Sequence, residues 1–288
     1  MKYFTVFICL LISNNLIAQT NLVINPSFEI VSSIPLQNGE LNKCIGWKSP
    51  NVNLPDIYSI LSPQPYVSVP LGNQGFFYQN PRTGNNYAGI LVFRKNFIPN
   101  SRYYIIGKLS DTLQKKEKYS IEFYTNLANN SVYSVNNLGV YFSNDTIYNS
   151  SPNSLLDTPQ VVNMASNPLN DTLNWIKVTG TYTAKGGEKY LTIGCFSAAL
   201  GLDTLRISTC TFCDEAYYFI DDVSVTLIDS ANGIGELEAA SKIKVWPNPA
   251  KEQFIISNEL PSTTAAVVEL YSIIGTLGIM DKINGQNL

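Results

Sequence analysis

Tyr119-Ser120-Ile121-Glu122-Phe123-Tyr124 is the stretch that decides the fold. Tyr119, Ile121 and Phe123 alternate with Ser120, Glu122 and Tyr124, and an extended chain sends successive side chains to opposite faces. The segment therefore reads as a half-buried strand. Working outward, residues 138–142, 175–183, 190–196 and 219–227 read the same way. Turn-rich pieces separate them: Asn129-Asn130-Ser131, Asn149-Ser150-Ser151-Pro152-Asn153 and Lys185-Gly186-Gly187. No window carries a sustained helical stripe. Many short strands in one block predict an all-β jelly-roll β-sandwich over residues 19–228. Within it, plain alternation puts Asp221 on the face of Phe219, Val223 and Val225, and makes Trp175 a core residue beside Ile176 and Val178.

Composition narrows the function classes. The 288 residues carry 19 Lys+Arg against 22 Asp+Glu, a formal net charge of -3. Binding nucleic acid by charge needs a concentrated basic surface, so that class is excluded. There is no histidine, which removes every nucleophile activated by His and every His-ligated metal site. No Gly-rich phosphate loop and no nucleophile elbow occurs. A glycosidase needs only two carboxylates, and Asp56, Glu122, Glu188 and Glu215 are available.

Residues 1–18 combine Lys2, an apolar run and Ala18, the pattern of a secretory signal peptide. The run is too short to span a bilayer, and no other stretch resembles a transmembrane segment. Cleavage after Ala18 removes Cys9 and leaves Cys44, Cys195, Cys210 and Cys213. An even number outside the cytoplasm predicts two disulfides, with three pairings open. The small, polar residues 229–242 read as a linker. Residues 243–288 hold further strand candidates but are few for an independent core.

The tail, through Val245-Trp246-Pro247-Asn248-Pro249-Ala250 and Val268-Glu269-Leu270-Tyr271 to Gly275, resembles the C-terminal sorting domain of the type IX secretion system of Bacteroidota. That resemblance implies a small β-sandwich, here partial, and the type IX export machinery as a partner. It also implies passage through the periplasm to the outside or the outer cell surface. The main block opens on Asn21-Leu22-Val23-Ile24-Asn25-Pro26-Ser27-Phe28-Glu29 and closes on Tyr218-Phe219-Ile220-Asp221-Asp222-Val223-Ser224-Val225. Both ends resemble the bookends of galactose-binding-like jelly rolls, a fold shared by many carbohydrate-binding modules. The resemblance implies a structural calcium between first and last strands, with Glu29, Asp221 and Asp222 as its carboxylates. Asp-Ser/Thr followed by an aliphatic or small residue resembles the O-glycosylation pattern of the same phylum. It marks Thr112, Thr146, Thr172, Thr204 and Ser230.

Sugars stack on aromatic rings and are read by polar groups at the rim. Trp47, Tyr58, Tyr78, Tyr87, Tyr104 and Tyr141 are the candidate rings, with Asn86 and Arg102 as polar partners. The expected function is non-catalytic binding of a glycan or envelope polysaccharide by a secreted protein. A structural surface protein that uses the jelly roll for protein contacts is the alternative, and a glycoside hydrolase the third.

Overall fold

The computed structural model describes residues 20–72, 77–95, 101–153, 155, 158–197, 202, 204–209 and 214–228, with the strand backbones 243–246, 255–258, 265–271 and 277–284. Residues 19–228 form one compact unit. It is a β-sandwich of two five-stranded sheets. The first orders β1 (Trp47–Lys48), β6 (Ile105–Lys108), β12 (Tyr190–Cys195), β9 (Leu138–Ser143) and β10 (Val161–Val162). The second orders β11 (Ile176–Thr183), β7 (Lys118–Leu127), β14 (Glu215–Leu227), β5 (Asn86–Arg94) and β2 (Asp56–Ser59). Every pairing in them is antiparallel, and the chain crosses between sheets from β5 to β6, β6 to β7 and β11 to β12, as a jelly roll does. Two short ribbons pair β3 (Leu71–Gly72) with β4 (Phe77–Tyr78) and β8 (Tyr133–Val135) with β13 (Thr204–Arg206).

The alternation read from residues 119–124 is the alternation of β7. Tyr119, Ile121 and Phe123 enter the core opposite Tyr182, Gly180 and Val178 of β11. The facing sheet supplies Ile105, Leu138, Val140, Leu191 and Ile193. Phe142 and Tyr182 stack across the two layers at 5.1 Å. Burying such side chains at roughly 25 cal/mol per Å² drives the assembly.

The ends of the block do lie side by side. Leu22 N donates to Val225 O at 2.8 Å, Val223 N donates to Pro26 O, and the Asn21 amide bridges Val223 and Val225.

Two side-chain placements differ from the sequence reading. In β14 the register shifts between Asp221 and Ser224, and Asp222 takes a positive φ of 49°. This β-bulge adds one residue. Asp221 therefore shares the outer face with Tyr217 and Phe219, while Val223 and Val225 return to the core. Trp175 likewise faces outward, against an aromatic cluster on the outside of the second sheet, with its indole N–H donated to Asn80 O.

The expected pair of disulfides also meets a correction. Cys44 and Cys195 carry free thiols, both buried in the core, and Cys210 and Cys213 lie outside the described residues. Burial, reinforced by Glu29, pushes the Cys44 thiol up to about 12, so it stays protonated and inert.

Among the strands beyond the sandwich, β15 (Ile243–Trp246) pairs with β16 (Ile255–Asn258), and β17 (Ala265–Tyr271) with β18 (Leu277–Asn284). No helix among the described residues is long and apolar enough to cross a membrane.

Candidate functional site

The outer face of the second sheet carries the site. On the edge strand β2, Asp56 and Tyr58 stand two residues apart and so project to the same side. Both oppose β5, where Asp56 pairs with Gly89 and Tyr58 with Tyr87. Glu215 and Tyr217 rise from β14 on the other flank of β5. Gly89 makes this possible, because a Cβ built there would collide with the Tyr217 hydroxyl and the Tyr58 ring. The result is a cleft of about 360 Å³, walled further by Asn38, Gly39, Leu54, Arg94 and Tyr103. That volume lies within the usual range for small-ligand pockets.

Hydrogen bonds fix its floor. The Tyr217 hydroxyl donates to Asp56 Oδ2, and the Tyr58 and Tyr217 hydroxyls meet at 3.1 Å. The Gly39 N–H reaches Asp56 Oδ1 at 2.5 Å. Burial raises the Asp56 carboxyl above its ordinary value, and the donors Tyr217, Gly39 and Tyr58 offset only part of that. Burial and the neighbouring Asp56 raise Tyr217 in turn, so its phenol stays a donor. At the rim Arg94 pairs with Glu215 and approaches Asp214 at 3.8 Å. Of the charges here, Arg94 is matched by its acids, while Asp56 meets only neutral donors.

Behind the cleft Tyr58, Phe77, Tyr87 and Phe219 pack edge to face or tilted at 4.7–5.6 Å. They are a second core, not a stacking platform. Tyr87 is buried with its hydroxyl donated to Gln79 O.

Of the rings and polar groups chosen from the sequence, only Tyr58 lines the cleft. Trp47 is in the inter-sheet core, its indole N–H donated to Asn25 O at 2.8 Å. Tyr104 is buried and donates to Cys195 O. Asn86 is buried and ties Phe28 O, Arg102 is buried, and Tyr78 is exposed on β4. Tyr141 packs partly buried near Phe196. These are structural positions or open surface.

The carboxylates divide similarly. Glu122 pairs with Lys177. Glu188 accepts from Tyr182 Oη and the Lys185 and Gly186 N–H groups, which closes a turn. Asp56 and Glu215 share the cleft. The sequence reading passed over Arg94, Tyr103 and Tyr217. The signal was present in Asp56-x-Tyr58 and Glu215-x-Tyr217, acid and tyrosine on one face of a strand.

The bookend carboxylates surround the loop 82–86. Asp221 Oδ2 accepts the Arg82 and Thr83 N–H groups at 2.9 and 3.3 Å. Asp222 receives the Ser27 and Thr83 hydroxyls and the Arg82 guanidinium. Glu29 Oε1 receives the Asn85 and Asn86 N–H groups. Calcium needs oxygens that converge on one centre. Here each carboxylate faces its own donors, Arg82 already supplies positive charge, and no group of three His, Cys, Asp or Glu side chains that could hold a metal occurs among the described residues. This arrangement does not fit the ion.

Of the marked hydroxyls, Thr146 and Thr204 are exposed, Thr112 and Thr172 are half-buried, and Ser230 lies outside the described residues.

No family model and no curated protein matches the chain. Among solved structures it is similar to the CBM22-1 xylan-binding domain of Paenibacillus barcinonensis Xyn10C, at 15% identity over 64% of this chain and 86% of that one, TM-score 0.34. It is similar to the K1 cleaved adhesin domain of Lys-gingipain from Porphyromonas gingivalis W83, at 16% identity over 69% and 95%, TM-score 0.34. TmCBM61, solved with β-1,4-galactotriose, matches at 12% identity over 72% and 99%, TM-score 0.31. Scores at this level decide neither ligand nor activity.

Proposed function

We propose that this chain binds a neutral glycan, without cleaving it, in the cleft between β2, β5 and β14. One observation carries the reading: a buried carboxyl, Asp56, is held among the hydroxyls of Tyr58 and Tyr217 on the floor of an open cleft. Such a floor exchanges hydrogen bonds with sugar hydroxyls, while Leu54 and the ring of Tyr103 offer apolar contact to the C–H face. With Arg94 matched by its acids, Asp56 leaves the lining short of positive charge and disfavours carboxylated sugars.

The test is affinity electrophoresis or calorimetry of the full chain against neutral and uronate polysaccharides. Binding to a neutral polymer is expected, with Asp56→Asn and Tyr103→Ala each weakening it by about tenfold or more, about 1.4 kcal/mol. Failure of every polysaccharide to bind, or unchanged affinity in both variants, would reject the cleft.

A second reading is favoured by Asp56 and Glu215 lining the same space, since two carboxylates suffice for glycoside hydrolysis. Release of reducing ends by the wild type, abolished in Glu215→Gln, would establish it.

The route outward is a proposal from sequence. We infer a signal peptide over residues 1–18, type IX export guided by residues 243–288, and O-glycosylation at the exposed Thr146 and Thr204. Cell fractionation with intact-mass measurement tests all three.

A further inference from the structure

The outer face of the first sheet carries a second cleft, on the other side of the sandwich from Asp56. Trp47, Ile105, Leu109 and Leu191 point into the core. By alternation Lys48 of β1, Ile106 and Lys108 of β6 and Tyr190 of β12 face outward. Lys108 stands opposite Tyr190, and its N–H donates to Gly46 O at 3.0 Å. That register puts Lys48 on the diagonal from Lys108, about 7–8 Å away along the sheet. Buried Ile106, opposite Lys48 and two residues from Lys108, forms the floor. Thr146, exposed on the loop after β9, stands at the rim. The cleft encloses about 250 Å³. This is slightly under the usual range for drug-sized ligands and suits a single sugar unit.

Among the described residues its lining holds two cations and no acid. Lys48 and Lys108 are both exposed, and neither is in a salt bridge. The flanking segments, residues 20–51, 101–110, 141–149 and 187–195, are all described. Their acids are engaged elsewhere: Glu29 takes the Asn85 and Asn86 N–H groups, Glu40 pairs with Lys43, and Glu188 closes its turn. Asp145, next to Thr146, is outside the lining and salt-bridged to neither lysine. Two ammonium groups this close on one face repel, and an anion between them relieves the repulsion. The chain as a whole has a net charge of -3, so attraction for an anion comes from this local arrangement.

We propose that the cleft binds an acidic sugar, its carboxylate or sulfate between Lys48 and Lys108 and its ring against Tyr190. Lysine supplies a point charge with rotatable donors, the half-buried Tyr190 ring takes the C–H face, and the Thr146 hydroxyl exchanges a hydrogen bond. The two clefts differ in sign, Asp56 against two lysines, and so sort neutral and acidic polymers to opposite faces. The sorting rests on the reading of the Asp56 cleft; the acidic-sugar site does not.

Calorimetry of the full chain with tetragalacturonate, a sulfated oligosaccharide of the same length and polyglutamate tests the site. Intact mass first establishes that Thr146 is unmodified, since a glycan there would cover the rim. An acidic oligosaccharide is expected to bind, more weakly as salt rises. Polyglutamate, which has no sugar ring, is expected to bind at least tenfold more weakly. Tetragalacturonate above the sulfated sugar would mark a carboxylate site, and the reverse order a sulfate site. Lys48→Ala combined with Lys108→Ala is expected to lower the affinity about tenfold, and Tyr190→Ala to lower it severalfold. Asp56→Asn is expected to leave it unchanged, as is Lys115→Ala combined with Lys118→Ala, two exposed lysines outside the cleft. No binding of either acidic sugar, equal binding of polyglutamate, an affinity that the Lys48 and Lys108 substitutions leave intact, or one lost in Asp56→Asn would each overturn the proposal.

Discussion

Gly89 shows how much of the site depends on a missing atom. It lies opposite Asp56 on the outer face of β5, and any Cβ there would meet the Tyr217 hydroxyl and the Tyr58 ring. Without a side chain at 89, two tyrosines from strands on either side of β5 can share one carboxylate. Gly89→Ala is therefore expected to break the Asp56–Tyr58–Tyr217 network by overpacking, at a cost of about 1–3 kcal/mol. Glycan affinity should fall at least as far as in Asp56→Asn, and chemical denaturation with a binding isotherm checks both. Intact affinity in Gly89→Ala would show that the network is not the recognition surface. Position 89 was legible in the sequence only as a glycine in an apolar run. What it makes room for comes from the two neighbouring strands, and a single strand's pattern does not contain them.

At the scale of an element, the bulge in β14 does the most. The extra residue at Asp222 turns two successive acids to different partners, Asp221 to the loop backbone and Asp222 to Ser27, Thr83 and Arg82. Arg82 also lies over the Tyr124 ring at 3.4 Å. Burial, then the adjacent Asp222, raises Asp221 to about 8. Asp222 is held below its ordinary range, because Ser27, Thr83 and Arg82 outweigh the effect of its burial. The sign for Asp221 follows from linkage. Between its unfolded value near 4 and its folded value near 8 the native state binds the extra proton, so stability declines as pH rises through that window. The slope for one such proton is at most about 1.4 kcal/mol per pH unit. Denaturation midpoints between pH 4 and 8 are expected to fall accordingly, and Asp221→Asn should flatten the curve. The same experiment addresses calcium. A cation at the bookends would favour ionised Asp221 and remove the decline, whereas the Arg82 arrangement predicts no response to calcium or to a chelator. The alternation of 219–227 was readable, but the bulge was not, since no glycine or proline marks it and the partners of its two acids, Arg82, Thr83 and Ser27, are distant in sequence.

For the whole molecule, strand patterns such as that of 119–124 carried the fold because inter-sheet burial depends on local alternation. The site was less legible: Trp47, Tyr87 and Tyr104 are aromatic for packing, and composition does not separate a packing ring from a binding ring. Asp56, Glu215 and Tyr217 become a site only when β2 and β14 flank β5, a pairing between residues 161 positions apart. That topology also sets where the functional unit ends. The last hydrogen bond of the sandwich runs from Ile228 N to Lys118 O at 2.7 Å, and residues 19–228 form a compact unit of their own. A chain ended after Ile228 is thus expected to keep both its core and its cleft. Its unfolding midpoint should match the corresponding transition of the full chain within about 2 °C, at most about 1 kcal/mol on the scale of a domain this size. Its glycan affinity should be unchanged. A truncated protein that unfolds at markedly lower temperature, or loses the glycan with its fold intact, would place part of the stability or the site in residues 229–288.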